Sequence, residues 1–389
     1  MTEHLADLAR RAGRMAVDTE FMAERRYRPM LCLAQVALRD PAADEGIRTE
    51  VIDPLDGGDP EALAAALADP EIEVVVHAGR HDIALLKRAW ATPVANVFDT
   101  QVAAGFLGHG NQESYRSLVR RVLGIRIASA ESFTRWDRRP LTEGQLRYAL
   151  EDARHLLELG EALEAELQRA GRLDWAREEC RWLETVSDER DPDALFARLP
   201  GIARLKPPAR AIARELVEWR ETIAAEIDRN AGSVLADHVL VEVARQAPRD
   251  RRALGDVRGL PESTLHRRSG SLLEAVARGA RRPAPEVAPT RRPPSAADSP
   301  VAGLLGAVVR HRALEARVAA GLVATQDELM QLVSSVRQDE DPRRLRVLQG
   351  WRAELVGEEL LEVLAGTRSV DVADRRRLEV RPRGAQAAG

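Results

Sequence analysis

Two acidic residues near the start of the chain, Asp18 and Glu20, stand two positions apart in the segment Met15-Ala16-Val17-Asp18-Thr19-Glu20-Phe21. The apolar neighbours indicate a strand, on which residues two apart point to the same face. Two adjacent carboxylates repel each other and are costly to desolvate unless a cation lies between them. The pair is therefore what a divalent-metal site needs. Taken alone, however, the pair is explained even better as two solvated acids at the end of a strand.

Further candidates follow along the chain. Asp82 comes just after the apolar segment 73–77, in the first turn of a helix, where an acid also serves simply to complement the helix dipole. Tyr148 and Asp152 are four residues apart, so they share one helix face. The tyrosine could hold a water that the metal of the aspartate also touches, or the two could form a surface hydrogen bond. Together, four acids and a tyrosine come from a strand, a strand-to-helix junction and a later helix.

In this order the residues resemble the three exonuclease motifs of the DEDD superfamily. A tyrosine four residues before the last aspartate is typical of the tyrosine subgroup, since Arg147 stands where the sister subgroup has histidine. The surrounding residues resemble the ribonuclease D family. The segments that carry this resemblance are Asp18-Thr19-Glu20-Phe21, His77-Ala78-Gly79, Asp99-Thr100-Gln101, Ser132-Phe133-Thr134-Arg135-Trp136, Arg139-Pro140-Leu141-Thr142 and Gln145. It covers residues 2–165 closely and continues weakly into residues 209–280.

The resemblance implies a ribonuclease H-like α/β exonuclease domain with a mixed sheet, followed by all-α helical domains of the HRDC type. It also implies hydrolysis with two divalent ions, Mg²⁺ or Mn²⁺, which prefer oxygen ligands. Asp18 would bridge both ions, Glu20 and Asp152 would complete the site of the attacking water, and Asp82 would support the other ion. Tyr148 would orient the water without acting as a strong base. The product would be a nucleoside 5′-monophosphate from an RNA 3′ end, with tRNA precursors the expected substrates.

Strands alternate with helices over the first 110 residues, and no strand is predicted beyond them. The resemblance also suggests that a strand expected before the first helix is missing here, or that the start codon is placed late. The predicted divisions are a nuclease domain at 1–199 with its core at 2–165, an HRDC-type domain at 209–280, a linker with six prolines at 281–300, a second HRDC-like domain at 301–366 and a disordered tail at 367–389. A chain ending near Arg198 is expected to keep the chemistry.

Composition restricts the class of protein. The chain has 389 residues, 44% hydrophobic and 31% charged, and no apolar run approaches the ~18 residues that span a bilayer. A polar start argues against a secretory signal, and two cysteines, Cys32 and Cys180, fit a reducing cytoplasm. Residues 1–199 carry 36 acids against 26 bases, whereas residues 200–389 carry 26 acids against 32 bases, nearly all arginine. A GC-rich coding bias would explain the arginines equally well.

The basic half suggests how RNA could be held. Arginine binds phosphate oxygens, and such contacts are independent of sequence. The candidates are Arg249, Arg251, Arg252, Arg267 and Arg268, with a solvated surface as the equal alternative. Arg139 is either a phosphate contact or a brace for the last helix. Two other functions remain open, a non-catalytic RNA-binding adaptor with a nuclease fold and a DNA 3′–5′ exonuclease, although intact acids at all four positions disfavour the first.

Overall fold

The computed structural model describes residues 2–110, 112–127, 135–286, 295–373 and 377–383. The chain divides into two compact units. Unit 1 comprises residues 1–20, 32–186 and 292–389, and unit 2 comprises residues 21–31 and 187–291. Among the described residues, every helix is too short or too polar to cross a membrane.

A mixed five-stranded sheet lies in unit 1, with the strand order β3-β2-β1-β4-β5. The strands are β1 (Arg14–Met22), β2 (Met30–Arg39), β3 (Ile47–Ile52), β4 (Glu73–Val76) and β5 (Val97–Asp99). Strand β4 pairs in parallel with both β1 and β5, while β2 and β3 are antiparallel. All four residues of β4 are buried, as expected for a parallel strand covered on both faces. The strand segments predicted at residues 15–21 and 73–77 are confirmed to within one residue at each end.

Helices surround this sheet. They are α1 (Thr2–Ala12), α2 (Glu61–Ala68), α3 (Arg80–Ala89), α4 (Thr100–Gly105), α5 (Tyr115–Leu118), α6 (Glu143–Arg154), α7 (Leu156–Ala170) and α8 (Leu173–Glu184). A π-helical turn, Val119–Leu123, continues α5. Helix α4 is capped by Asp99, whose carboxylate accepts from the backbone N–H groups of Gln101 and Val102.

Unit 2 is helical around its own core. Its helices are α9 (Pro192–Ala197), α10 (Pro207–Glu226), α11 (Ala231–Val234), α12 (Asp237–Gln246), α13 (Arg251–Gly255) and α14 (Glu262–Gly279). Phe196 and Leu199 are buried against Leu216 and its neighbours in this core. The predicted nuclease boundary at residue 199 therefore differs from the structure, in which the second segment of unit 1 ends at Val186. These two apolar side chains, read from the sequence as an extension of the nuclease, belong to the helical unit.

The C-terminal helices lie in unit 1, in the same hydrophobic core as the sheet. They are α15 (Asp298–Ala316), α16 (Ala320–Val323), α17 (Gln326–Arg337), α18 (Gly350–Arg352) and α19 (Glu358–Leu364). Trp351 stacks on Trp175 with ring centroids 5.6 Å apart and meets Phe106 edge-on at 4.8 Å. Residues 301–366 are helical as predicted. That they form a second HRDC-like domain stays a prediction.

Two predicted boundaries near the C-terminus are corrected. Helix α15 begins before the predicted end of the linker, because Asp298 accepts from the Ser295 N–H at 2.7 Å and Pro300 lies in the first turn, where its missing N–H costs no bond. The tail, predicted to be disordered, contains a hairpin of β6 (Arg368–Ala373) and β7 (Arg377–Pro382). Val370 pairs with Val380 there, and both pack on the core. Its charged composition concealed an alternating apolar pattern.

Candidate active site

Three acids form a compact cluster beside β1. Asp18 and Glu20 project from the same face of this strand, and Asp152 reaches them from α6. One carboxylate oxygen from each of the three lies within 4.8 Å of the others. The sequence prediction placed these residues in one site, and the structure brings them together.

Asp82 stands beside this cluster and is held by its own contacts. The Thr19 hydroxyl, between the two β1 acids, donates a short hydrogen bond to Asp82 Oδ1. Ala78, two residues before α3, has a positive φ of 53° and donates its N–H to Asp99 Oδ1 at 3.1 Å. Gly79 donates to the other oxygen at 2.9 Å. Asp99 thus fixes the turn that delivers Asp82, a role that its position as a helix cap did not reveal.

Helix α6 presents Tyr148 and Asp152 together. It begins with a capping box in which Thr142 Oγ1 accepts from Gln145 N at 3.2 Å and Gln145 Oε1 accepts from Thr142 N at 3.0 Å. Ala149 and Ala153 are fully buried, which fixes the rotation of the helix. The ring of Tyr148 lies 6.0 Å from that of Trp136. The residue pair predicted at i and i+4 therefore lies on the side of α6 that faces the acids.

Arg139 braces the segment that precedes α6. Its guanidinium pairs with Asp53 and donates to the carbonyl oxygens of Cys32 and Trp136, each at 2.8 Å. Because its guanidinium makes these bonds, the structure favours Arg139 as a brace for α6 over Arg139 as a contact to a phosphate of the substrate. The matching segment Ser132-Phe133-Thr134 lies outside the described residues.

Burial and mutual repulsion disturb the ionisation of the cluster. Burial, followed by the charges of Asp82, Asp152 and Glu20, raises the pKa of Asp18 well above its usual value. Burial and the same repulsion raise the pKa of Glu20 to about 8. The pKa values of Asp82 and Asp152 are also raised, mainly by burial. The negative charges of the ionised carboxylates are thus poorly balanced by nearby positive charge, which a bound cation would supply.

Tyr148 remains protonated at neutral pH. Burial and then the negative charge of Asp152 raise the pKa of its hydroxyl above the usual 10. It is consequently a hydrogen-bond donor and a poor base.

Two residues beside the site were not identified from the sequence. Arg116 Nη2 lies 3.8 Å from Asp152 Oδ1, and its guanidinium carbon lies 5.5 Å from the centroid of the Tyr148 ring. The Tyr115 hydroxyl accepts from His155 N at 3.1 Å, just past the end of α6. Both come from α5, and no spacing in the sequence links that helix to Asp152.

The arginines predicted to hold nucleic acid lie at the surface of unit 2. Arg249, Arg251, Arg252 and Arg267 are exposed, and Arg268 is half-buried. None of their guanidinium groups forms an ion pair with a carboxylate in the described part of the chain. They are thus available to an anionic ligand, and their role in binding RNA stays a prediction.

Comparisons with known proteins identify the families to which the two parts of the chain are similar. A family model described as 3′–5′ exonuclease matches residues 2–168, and one described as HRDC domain matches residues 209–276. The chain is 36% identical to the ribonuclease D of Acidiphilium cryptum, an alignment that covers 97% of this chain and 95% of the relative. It is 34% identical to the ribonuclease D of Gluconacetobacter diazotrophicus, covering 94% and 92%.

A crystal structure extends this likeness to three dimensions. Escherichia coli RNase D, described as an exoribonuclease involved in structured RNA processing, superposes with a TM-score of 0.80 at 27% identity, covering 94% of this chain and 96% of that one. The predicted fold class, an α/β exonuclease domain with a mixed sheet followed by HRDC-type helices, is confirmed.

Proposed function

The chain belongs to the ribonuclease D family, and from this premise we propose that its cluster of acids is where it removes nucleotides from RNA 3′ ends. Membership of the family makes the protein a 3′–5′ exoribonuclease. The observation that carries the assignment of the site is the convergence of Asp18, Glu20 and Asp152 within 4.8 Å. The raised pKa values of all three support it, because acids without compensation are typical of functional sites.

The residues fit divalent metal ions. The donors are oxygen atoms only, which Mg²⁺ and Mn²⁺ prefer, and the described part of the chain gives the four acids one ion pair, the 3.8 Å contact between Arg116 and Asp152. We expect Asp18, Glu20 and Asp152, with Asp82 beside them, to hold two ions. Bound there, such ions would acidify the attacking water and stabilise the charge of the phosphoryl oxygens.

The side chains of the protein have separate tasks in this scheme. Tyr148 donates a hydrogen bond that orients the attacking water, because its hydroxyl stays protonated. Thr19 holds Asp82 in place through its hydroxyl, and Asp99 fixes the turn before α3. The product is a nucleoside 5′-monophosphate.

The body of the RNA is proposed to bind elsewhere. The exposed arginines Arg249, Arg251, Arg252 and Arg267, with Arg268, would contact phosphates without reading sequence. Precursors of tRNA are the proposed substrates. A cytoplasmic location is also proposed, and it agrees with the two buried cysteines, Cys32 and Cys180, which are not joined in a disulfide.

The test uses 5′-labelled linear RNA, a circular RNA and single-stranded DNA of the same sequence, each with Mg²⁺, Mn²⁺ or EDTA. We expect the linear RNA to shorten from its 3′ end with either metal and to stay intact in EDTA. Cleavage of the circle, or activity that survives EDTA, would contradict the proposal. Preferred hydrolysis of DNA would favour the DNA exonuclease, and RNA binding without hydrolysis would favour the adaptor.

A further inference from the structure

A second basic feature lies in the nuclease domain itself, next to the acids. A surface pocket of about 420 Å³ is lined by Arg116, Ser117, Arg120, Arg126 and Ile127. Three of its five lining residues are arginines, in a half of the chain that is acidic overall. The pocket is thus a local concentration of positive charge on an otherwise acidic unit.

The local fold explains why these arginines meet. Arg116 and Arg120 are four residues apart on α5 and the π-helical turn that continues it. Gly124 ends this segment with a φ of 74°, a left-handed conformation that glycine adopts without strain. Arg126, two residues beyond Gly124, lines the same pocket. Three arginines separated in sequence therefore line one pocket.

Two of the three arginines have no partner in the described part of the chain. Arg120 and Arg126 are exposed and form neither an ion pair nor a side-chain hydrogen bond with a described residue. The neighbouring Arg121 differs, since its Nη2 lies 3.1 Å from Glu113 Oε1 and it does not line the pocket. An anion that enters the pocket would meet two uncompensated guanidinium groups, whereas Arg121 is already engaged.

Arg116 connects the pocket to the acidic cluster. It lines the pocket while its Nη2 lies 3.8 Å from Asp152 Oδ1 and its guanidinium lies over the Tyr148 ring. An anion held by Arg120 and Arg126 would consequently neighbour whatever phosphate is bound at the acids.

We propose that the pocket binds backbone phosphates of the RNA strand on the 5′ side of the bond being hydrolysed. This inference rests on the proposed function. At a 3′-hydroxyl end, the scissile phosphate joins the last two nucleotides, and the nucleoside beyond it carries no further phosphate. Any other phosphate near the site must therefore belong to the upstream strand. Planar guanidinium groups match phosphate oxygens in pairs, and the contact needs no particular base.

The test compares a double variant, Arg120→Gln with Arg126→Gln, with the native chain on two RNAs. The dinucleotide UpU has the scissile phosphate alone, so it reports only on the acids. A hexauridylate adds upstream phosphates. The double variant should raise KM for the hexamer on the order of tenfold with little change in kcat, because the guanidinium–phosphate interaction it removes is equal in ground and transition states. Hydrolysis of UpU should change little.

Arg121→Gln is the matched control, since it removes an adjacent exposed charge that lies outside the pocket; it should behave as the native chain does. A second readout is binding of the hexamer in EDTA at several salt concentrations. The double variant should flatten the log–log salt dependence by about 0.7 for each phosphate that it no longer binds.

Distinct outcomes separate the two levels of the argument. A native chain that hydrolyses neither RNA would overturn the proposed function. An active native chain whose double variant loses as much on UpU as on the hexamer would overturn only the pocket. A salt dependence of hexamer binding that is unchanged in the double variant would also overturn only the pocket. It would indicate that the pocket is a solvated surface or a site for a protein.

Discussion

Two sites in unit 1 contain buried acids, and their surroundings are opposite. Glu179, on α8, is 8% exposed and lies 2.6 Å from Arg352 Nη2 and 3.2 Å from Arg346 Nη1. Among the described residues, the acids around Asp18 have a single ion pair, the 3.8 Å contact of Arg116 with Asp152. Arginines of the protein therefore neutralise Glu179, whereas the cluster at β1 is proposed to be neutralised by cations from solution.

We interpret this difference as that between a structural site at Glu179 and the proposed catalytic site at β1. Glu179 joins α8 to the C-terminal segment, where Arg352 is 4% exposed beside the stacked Trp351 and Trp175. A buried ion pair whose partners are both present is tolerated, and the loss of one partner leaves a charge without compensation. At β1 we propose that the missing positive charge is supplied by bound metal ions during catalysis. Substitution should consequently affect stability at one site and activity at the other.

The largest expected effect is that of Asp18→Asn on activity. The change keeps the shape of the side chain but removes a charge, and we expect hydrolysis of linear RNA to fall by at least ~10²-fold. The variant should fold, since repulsion within the cluster is relieved. Rates are compared at equal folded concentration, checked by circular dichroism. A variant with near-native activity would show that the site lies elsewhere.

Glu179→Gln should have the opposite effect. It leaves the buried Arg352 without its carboxylate, and we expect the free energy of unfolding to fall by about 3 kcal/mol. The activity of each folded molecule should stay native. Glu178→Gln, on the same helix and without a described ion pair, is the matched control and should cost less than about 0.5 kcal/mol. Denaturant melts measure both, and equal stabilities of the two variants would refute the structural role of Glu179.

Tyr148→Phe should have a smaller effect on catalysis than Asp18→Asn. The change removes one hydroxyl, with its hydrogen bond to Asp152 and its proposed contact to the attacking water, and a decrease in kcat of about tenfold is expected. The rate is measured across Mn²⁺ concentration. If excess Mn²⁺ alone restores the rate, then Tyr148 acts on metal affinity, contrary to its proposed role as a water-orienting donor.

The smallest effect concerns pH in the absence of metal. The folded pKa of Glu20, about 8, lies above its usual value of 4.5, so the folded state holds a proton that the unfolded state releases. The stability that comes from protonated Glu20 is fully present below about pH 4.5 and is lost as the pH rises through about 8. In EDTA the Tm should therefore fall between about pH 4.5 and about pH 8, and Glu20→Gln should reduce the slope. A Tm that rises over this range would contradict the assignment.

The sequence predicted the site better than the domain boundaries, for a physical reason. Asp18 and Glu20 are linked by the two-residue period of a strand, and Tyr148 and Asp152 by the turn of a helix, so their relations are local. The pairing of Glu179 with Arg352 joins distant parts of the chain and has no such signature.

The same limitation affects the expected boundary near Arg198. A chain ending there would keep all four of the proposed catalytic acids, but it would lose Trp351 and expose Phe106 and Trp175, against which Trp351 packs. Since such surface is costly to expose, the expectation that this truncation keeps the chemistry does not follow from the structure. Arg116 was missed for a related reason, because only the fold brings α5 beside α6.

Binding of Mn²⁺, followed by electron paramagnetic resonance in the native chain, Asp18→Asn and Glu179→Gln, tests the central claim most directly. The claim is that the acids around Asp18 bind a cation from solution, whereas Glu179, which is paired with arginines, does not. We expect saturable binding in the native chain and in Glu179→Gln at a temperature where this variant is folded, and a large loss of binding in Asp18→Asn. Undiminished Mn²⁺ binding in Asp18→Asn would contradict the account.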